Sequence, residues 1–573
     1  MGRILIIPVF VLFYLNTSGQ ARVNFTGSNL PIIVIDVHDQ EIVDDPKITA
    51  DMGMIDNGPG QRNNIADAFT GYEGKIGIEI RGSSSQMFPK KPYGLELRDG
   101  DGDGVDATLL GMPEEEDWSL IATYNDKSLL RDALAYKIGR DLGRYAPRTR
   151  FCELVIKKDT VVEGTPTTTL GYKGIYMLTE KIKRDKYRVD INKLDPDEIS
   201  GDNLTGGYIL KIDKTTGDSG AGFDSKIKSV GSGKTIQFQY EEPAYDDVVT
   251  EQKTYIQQFI NAFEAALNGP DYKDADKGYA KYINVDSFID FLIVNEISRN
   301  VDGYRLSTFM YKDKDSKGGK LVMGPVWDFN LGFGNADYCS GQLTTGWAYD
   351  FNSVCRDDGS QIPFWWSRLL TDTAFQKRLG DRWTTLRSGK LSTSSLHAYV
   401  DSVASVLDDE AAARNFQAWS VLDEYVWPNY YVGKTYQDEV DWLKEWVEDR
   451  AAWLDEHMPK RAPKPDDPDP EEPEPPTTVT ATSPEDTPLQ FSVSPNPFAD
   501  ALTVRYTLRK PGTWSIVLID PLGRRLSSVE ARHDLAGTYE VVLSPSGLTG
   551  GIYYVQATSA VDAQRVVRKV IKR

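Results

Sequence analysis

Two aspartates and a lysine are the residues best placed to do chemistry. Asp302 follows Val285–Ile297, a run apolar almost all round and so expected as a buried helix. It stands in Asn300-Val301-Asp302-Gly303-Tyr304-Arg305-Leu306-Ser307. Asp328 closes a predicted hairpin, Thr308–Lys312 and Lys320–Val326, within Gly324-Pro325-Val326-Trp327-Asp328-Phe329-Asn330. Two carboxylates at the two ends of one hairpin can converge on a cation. Hard oxygen ligands suit Mg2+, which keeps waters and needs one or two carboxylates beside substrate phosphates. Taken singly, either aspartate also reads as an N-cap or turn residue. Upstream, Arg81-Gly82-Ser83-Ser84-Ser85-Gln86 joins two predicted strands, Lys75–Arg81 and Lys91–Leu97. The backbone N–H groups and small hydroxyls of such a turn can face phosphates. In the second strand, alternation puts Lys91 on the face of Tyr93, Leu95 and Leu97, where a lysine needs an anionic partner. It sends Lys90 to solvent.

The elements that must position these residues fall into two groups. Ile32–Val37, Lys75–Arg81, Tyr93–Arg98, Phe151–Lys157 and Tyr172–Leu178 have strand patterning, interrupted by one helix near Ser128–Leu142. Beyond residue 250 the chain turns helical: Gln252–Leu267, Val285–Ile297, Ser394–Asp408 and Gln437–His457. A strand-rich lobe joined near residue 180 to a helical lobe is one way to build a cleft.

Charge and composition exclude several functions. The 573 residues carry 65 Lys+Arg against 85 Asp+Glu, a net charge of -20. That acidity argues against nucleic-acid binding, which needs a positive surface. The four histidines (His38, His397, His457, His533) form no HxxH pair, and the three cysteines form no CxxC. Histidine-based and four-cysteine metal sites are therefore not expected. Asp99-Gly100-Asp101-Gly102-Asp103-Gly104 mimics an EF-hand start, but Leu110 stands where the bidentate Glu belongs. It reads as an acidic turn.

Residues 1–19 read as a secretory signal: Arg3, an apolar run Ile4–Leu15, then Thr17-Ser18-Gly19. No later run has transmembrane length. Outside the cytoplasm a disulfide is allowed. Either Cys339 and Cys355 pair or all three cysteines are free; Cys152, in an apolar run, reads as a buried thiol. Residues 461–490 hold nine prolines and eight acids and are expected as a stiff linker. Residues 491–573, with 11 bases against 6 acids, read as an all-β domain of short strands: Thr503–Leu508, Trp514–Ile519, Tyr539–Leu543 and Ile552–Ala557.

Two resemblances follow from these motifs. Ser494-Pro495-Asn496-Pro497-Phe498, Gly550-Gly551-Ile552-Tyr553-Tyr554-Val555 and the basic finish Arg568–Arg573 resemble the type A sorting domain of Bacteroidetes type IX secretion cargo. That implies export through the outer membrane, the type IX machinery as partner, and release or surface attachment. The order of Gly/Ser turn, strand lysine, buried helix, loop Asp, hairpin and Asp-Phe-Asn is the order of parts in a protein kinase. With Asp126-Lys127-Ser128-Leu129-Leu130-Arg131, Gly171–Tyr176 with Glu180, and Gly206–Leu210, residues 30–380 resemble the CotH kinase family. The resemblance implies an α+β, kinase-like two-lobed fold for residues 20–460 and a small β-sandwich for 491–573. It implies ATP with Mg2+ or Mn2+ as cofactors and exported or surface proteins as substrates. Lys91, Gly82, Ser83 and Ser84 would contact phosphates. Asp302 would be the catalytic carboxylate, Asp328 the metal ligand with Asn330 in support, and Tyr176–Glu180 the hinge beside adenine. Arg131 faces the cleft or pairs with Asp126. Ser307 stands where kinases carry a second metal-binding Asn, which leaves a non-catalytic pseudokinase-type scaffold or adhesin as the alternative. A further alternative is nucleotide transfer, such as AMPylation, on the same fold.

Overall fold

Seven strands of the first half close into a barrel. They are β1 (Ile32–Asp36), β2 (Ile48–Ile55), β3 (Tyr72–Ile80), β4 (Tyr93–Arg98), β5 (Asp117–Ile121), β6 (Thr149–Val162) and β7 (Thr165–Glu180). Their spatial order is β1-β2-β3-β4-β5-β7-β6, and closure comes from a parallel pairing of β1 with β6. The computed structural model describes residues 20–162, 165–214 and 222–460, then 491–494, 498, 501–508, 512–519, 525–533, 537–543, 548–559 and 565–572. The expected signal and linker, and Pro495–Pro497 of the sorting-domain motif, lie outside the described residues.

Period-two alternation sorts the barrel side chains into two buried sets. Ile33, Ile35, Ile76, Ile78, Leu95, Leu97, Leu154 and Leu178 fill the barrel. Ile32, Val34, Val155, Ile175 and Met177 point outward into the larger helical core. The thiol of Cys152 is buried, which pushes its pKa up. The motif at Asp99 is an acidic turn, its Oδ1 accepting the N–H groups of Asp101, Gly102 and Asp103 at 2.9, 3.0 and 3.0 Å.

Helix α1 (Arg131–Asp141) sits between β5 and β6 in sequence and outside the barrel. A five-stranded sheet follows, running from the edge Phe223–Asp224 through β9 (Gln237–Glu242), β8 (Tyr208–Ile212) and β10 (Thr308–Lys312) to β11 (Leu321–Met323). Helices α2 (Thr250–Asn268) and α3 (Val285–Ser298) pack on it, α4 (Thr373–Arg387) and α6 (Tyr436–His457) pack on α3, and α5 (Thr393–Ala418) lies along β7 of the barrel and against α6. Helix α4 is absent from the sequence expectation, and α5 runs ten residues further than expected. Its continuation, Glu410–Ala418, is rich in alanine, the best helix former.

The C-terminal unit is two sheets, β12 (Phe491–Ser494), β13 (Leu502–Leu508) and β16 (Gly537–Leu543), and β15 (Arg525–His533), β14 (Gly512–Ile519), β17 (Gly551–Ser559) and β18 (Arg565–Lys572). Phe498, Val504, Ile516, Leu518, Val555 and Val570 form its core. The basic finish of the chain is itself strand β18, an edge strand whose Arg568 is exposed while Val570 is buried. Contacts divide the chain into Met1–Ala462 and Pro463–Arg573.

Two buried cations tie the late helices to the rest of the large unit. Arg450 on α6 and Glu296 on α3 are both fully buried and pair at 3.1 Å. Glu296 also accepts the N–H groups of Ala348 and Tyr349 at 2.8 and 3.0 Å and the Tyr304 hydroxyl at 2.9 Å. Arg450 donates to the carbonyls of Glu296, Thr344 and Gly346. Burial pushes Glu296 up and Arg450 down to about 9. Desolvation therefore exceeds mutual attraction at each partner, and the pair fixes geometry more than it adds stability.

Lys90 is the second cation, and it corrects an expectation: it is buried, not solvent-facing. Proline at 92 interrupts the strand, β4 starts at Tyr93, and the alternation does not extend back to the lysines. The Lys90 Nζ donates to the Ile175 carbonyl at 2.6 Å and the Asn415 Oδ1 at 3.0 Å and lies 4.9 Å from the Tyr176 ring centroid. Asn415, from α5, fits because Gly174 at φ +94° makes a bulge in β7; a Cβ there would lie 2.5 Å from the Asn415 Oδ1. Burial pushes Lys90 down from 10.5 to about 7.

Replacing Arg450 with Met leaves Glu296 buried and unpaired and should cost about 3–5 kcal/mol. Denaturant unfolding of Arg450→Met beside the double variant Glu296→Gln/Arg450→Met tests this, since the double variant should recover most of the loss. For Lys90, the unfolded chain keeps the proton between pH 7 and 10.5 while the folded protein does not. Its contribution to stability therefore rises with pH across that window. The melting temperature of the wild type should gain on that of Lys90→Met from pH 7 to 9; parallel curves would refute the assignment.

Candidate functional site

The site is built where α3, the β8–β10 pair and the end of β3 meet. Helix α3 starts with Asn284 capping the Ser287 N–H at 3.0 Å and ends at Arg299, in the left-handed region at φ 43°. The chain then turns through Asn300, which bridges the two aspartate segments. Its Oδ1 accepts the Asp302 N–H at 3.2 Å and its Nδ2 donates to the Asp328 carbonyl at 3.1 Å. Left-handed φ angles in residues with side chains cluster here: Tyr304 68°, Ser307 46°, Asp328 60°, Phe333 50° and Cys339 49°. Each costs on the order of 1–3 kcal/mol, and such conformations collect where geometry serves function.

Asp302 and Asp328 lie within electrostatic reach of each other. Burial raises the pKa of Asp302, opposed first by the Arg305 guanidinium, whose Nη2 lies 2.8 Å from Oδ1. Burial, then the charges of Asp302 and Asp213, push Asp328 up to about 6. Asp328 is open to solvent, so this is a recess that water still reaches, and screening limits the shift. Hard carboxylate oxygens with solvent access are a donor set that fits Mg2+ or Mn2+.

Arg81, the last residue before the Gly/Ser turn, is the cation whose charge meets Asp328 from the barrel side. It donates to the Ser119 hydroxyl and lies 5.2 Å from the Trp327 ring centroid. Sequence reasoning passed over it in favour of Lys91. The signal was a charge ending a strand just ahead of a glycine turn. Lys91 instead donates to the Gln86 carbonyl of its own turn. Gly82, at φ +91°, and exposed Ser83 and Ser84 form that turn. From the helical side, Lys214 is exposed and within electrostatic reach of both aspartates. Ile212 lies opposite Thr308 in the β8–β10 register, so Asp213 follows beside Ser307. The Asp213 carboxylate accepts the Ser307 N–H.

Other expected site residues are engaged elsewhere. Glu180 is fully buried and accepts from Arg148 Nε at 2.8 Å, Arg148 Nη2 at 2.6 Å and the Arg148 N–H at 2.9 Å. Its side chain therefore does not face a cleft as a hinge residue would; the strand end needs it to neutralise a buried-edge arginine. Of the two readings for Arg131, the ion pair to Asp126 holds, both side chains being buried. The Asn330 Nδ2 donates to the Asn125 Oδ1 at 3.3 Å, and Asn335 and Asn429 complete an amide cluster around the Asn125 and Asn330 carbonyls. Asn330 thus anchors the loop after Asp328.

Helix α1 supplies what the motif reading lacked. Asp132 and Tyr136, four residues apart, share a helix face. The Asp132 Oδ1 accepts the Phe329 N–H at 2.6 Å, the Tyr136 hydroxyl accepts the Asp328 N–H at 3.2 Å, and the hydroxyl hydrogen-bonds Asp132. Burial and the nearby Asp328 charge hold Asp132 well above the usual carboxylate range. Among the described residues, the carboxylates crowded as a metal ligand set would be are Glu115, Glu116 and Asp117. The Lys183 ammonium already sits among them at 3.0–3.1 Å.

Asp132→Ala orphans the Phe329 N–H and frees the left-handed turn at Asp328. It should weaken Mg2+ or Mn2+ binding about 10–100-fold, as loss of groups supporting a metal ligand does. Asp132→Asn keeps an acceptor and should bind nearly as wild type. Metal titrations by thermal shift decide it, and equal losses in both variants would rule out the hydrogen bond as the cause.

Two models of known families match the chain. A family model described as CotH kinase protein matches residues 78–454. A model of the secretion system C-terminal sorting domain matches residues 492–573. A search of curated proteins finds no match. Among the described residues no helix is long and apolar enough to cross a membrane. The chain thus belongs to the CotH kinase protein family, and its C-terminal sorting domain marks it for type IX secretion and attachment at the cell surface.

Proposed function

We propose that the protein is a secreted ATP-dependent phosphotransferase that modifies hydroxyl groups of exported or surface proteins. On this reading residues 1–19 are its signal, 20–460 a kinase-like two-lobed body, 461–490 a tether and 491–573 the sorting domain. The observation that carries it is the meeting of Asp302 and Asp328, with Arg81 and Lys214 supplying positive charge. The barrel takes the place of the nucleotide-binding lobe and the α3 region that of the catalytic lobe.

ATP with Mg2+, when bound, supplies the phosphoryl group and neutralises charge developing on it. Asp328 would hold the cation. Asp302 orients the acceptor hydroxyl and takes its proton; its raised pKa makes it a better base than an exposed aspartate. Arg81 and Lys214 bind phosphate oxygens against an acidic background of -19 in residues 1–460. Asp213, bonded to the backbone at Ser307, stands in the region where the second metal-binding Asn of kinases would be. Two-cation chemistry through an Asn at 307 is not part of this reading. Ser307 itself favours the second reading, a non-catalytic surface scaffold.

Transfer of labelled γ-phosphate to surface-protein extracts separates the two. Asp302→Ala should lower transfer by about 10²–10⁴-fold, the usual contribution of a general base. Equal labelling by variant and wild type would remove Asp302 from the mechanism, and mass spectrometry would separate added phosphate from added AMP.

A further inference from the structure

Asp302 is held by a chain of contacts that ends in a disulfide. Arg305 has its guanidinium almost wholly buried and uses it as a junction. Its Nε donates to the Val301 carbonyl at 2.8 Å and its Nη2 to Asp302 at 2.8 Å. Its Nη1 donates to the Asp358 Oδ1 at 2.9 Å and the Ser360 carbonyl at 3.3 Å, while the group lies 4.1 Å from the Phe351 ring centroid. The turn that grips Arg305 is short: Asp358 Oδ1 also accepts the Ser360 N–H at 2.8 Å, and the Asp358 N–H returns to the Cys355 carbonyl at 3.2 Å. Cys355 is bonded to Cys339, with 5.6 Å between their Cα atoms. Cys339 directly follows Tyr338, whose hydroxyl pKa is raised by burial and by the charges of Asp302, Asp358 and Asp328. The bond thus ties the segment leaving Asp328 to the turn that anchors the partner of Asp302. The other ties on that turn are weaker: the Lys234 ammonium on the carbonyls of Asp357 and Asp358, and Gln361 Nε2 on those of Cys355 and Asp358.

We propose that the Cys339–Cys355 disulfide is a thiol-sensitive positioning element. Through Asp358 and Arg305 it keeps Asp302 aimed, and its reduction loosens the Asp302 loop and turns catalysis down without abolishing ligand binding. Reduction by a dithiol breaks the S–S bond and forms two thiols; the dithiol gives up two hydrogens and closes to its own disulfide. Both cysteines are partly exposed, so the bond is accessible, whereas Cys152 is buried. Arg305 and Asp358 are positioning residues. The effect on turnover rests on the phosphotransferase reading; the coupling from disulfide to Asp302 does not.

The test therefore has a structural arm and a kinetic arm, both on the full chain. Amide hydrogen exchange across residues 300–307 is compared before and after dithiothreitol, and in Cys339→Ser/Cys355→Ser. Faster exchange on reduction, matched by the double variant and unchanged in it by dithiothreitol, is expected. Unchanged exchange overturns the proposal whatever the activity. In the kinetic arm, reduction should lower kcat about tenfold, short of the ~10²-fold loss from fully misplacing a reacting group, with KM for ATP nearly unchanged. Asp358→Ala should lower kcat similarly, and reduction should then add little, since the two act through one contact. Additive losses overturn the route through Asp358. If the oxidised protein transfers no phosphate while exchange still responds, the phosphotransferase reading fails and the coupling stands.

Discussion

The large unit depends on one buried contact, Glu296 with Arg450, at the C-terminal end of α3. Helix α3 is apolar on nearly every side, so packing alone would hold it anywhere along its axis or at several rotations. An ion pair in a dry interior has far fewer solutions, because both charges must be met at once and each carboxylate and guanidinium direction must find a partner. Glu296 meets α6, the Tyr304 hydroxyl and the backbone at 348–349 together. Its position fixes where the helix ends and therefore where the Asn300–Asp302 turn begins. The site takes its register from that pair together with buried Asp290, earlier on the same helix, which Arg144 and Arg382 grip at 2.7 and 2.9 Å.

From there the site is a set of short backbone excursions, each pinned by a polar side chain from another element. Asn300 pins one aspartate segment to the other. Asp132 and Tyr136 of α1 pin the turn at Asp328–Phe329, and Asp213 pins Ser307. The left-handed residues are concentrated in these excursions, so local strain is offset by contacts that come from far away in the chain. Helix α1 thereby has a direct hold on a candidate metal ligand through two hydrogen bonds rather than through a charge pair to a strand lysine.

Elements with strong periodicity were legible in the sequence: the bounds of α3 and α6 differ from expectation by one residue at most. Helix α4 has its own helical signal in Phe375, Leu379, Trp383 and Leu386, all buried on one face. The aspartates could be found because each follows an apolar element and precedes a loop. Lys90 and Lys91 were assigned to the wrong faces because alternation was carried through Pro92, where the strand had not begun. Arg81 ends a strand, and the contacts that mark it, Ser119 and Trp327, lie far along the chain. Glu296 with Arg450, 154 residues apart, and Lys90 with Asn415, 325 apart, could not be read at all. Nothing local marks a buried charge whose partner lies in another helix.

Those long separations set the order in which the protein can be completed. Strand β1 waits for β6 to close the barrel in parallel, and Glu296 and the bulge at Gly174 wait for α5 and α6, the last elements before the Pro-rich segment. Non-local pairings of this kind slow folding, because loop entropy must be given up before the contacts form. As the chain emerges N-terminus first, the barrel and α3 exist for a time with an unpaired carboxylate and an uncovered bulge, and the unit locks only when α5 and α6 arrive. For a protein marked by its sorting domain for secretion and attachment at the cell surface, that late lock leaves the earlier chain pliable until almost all of it has been made.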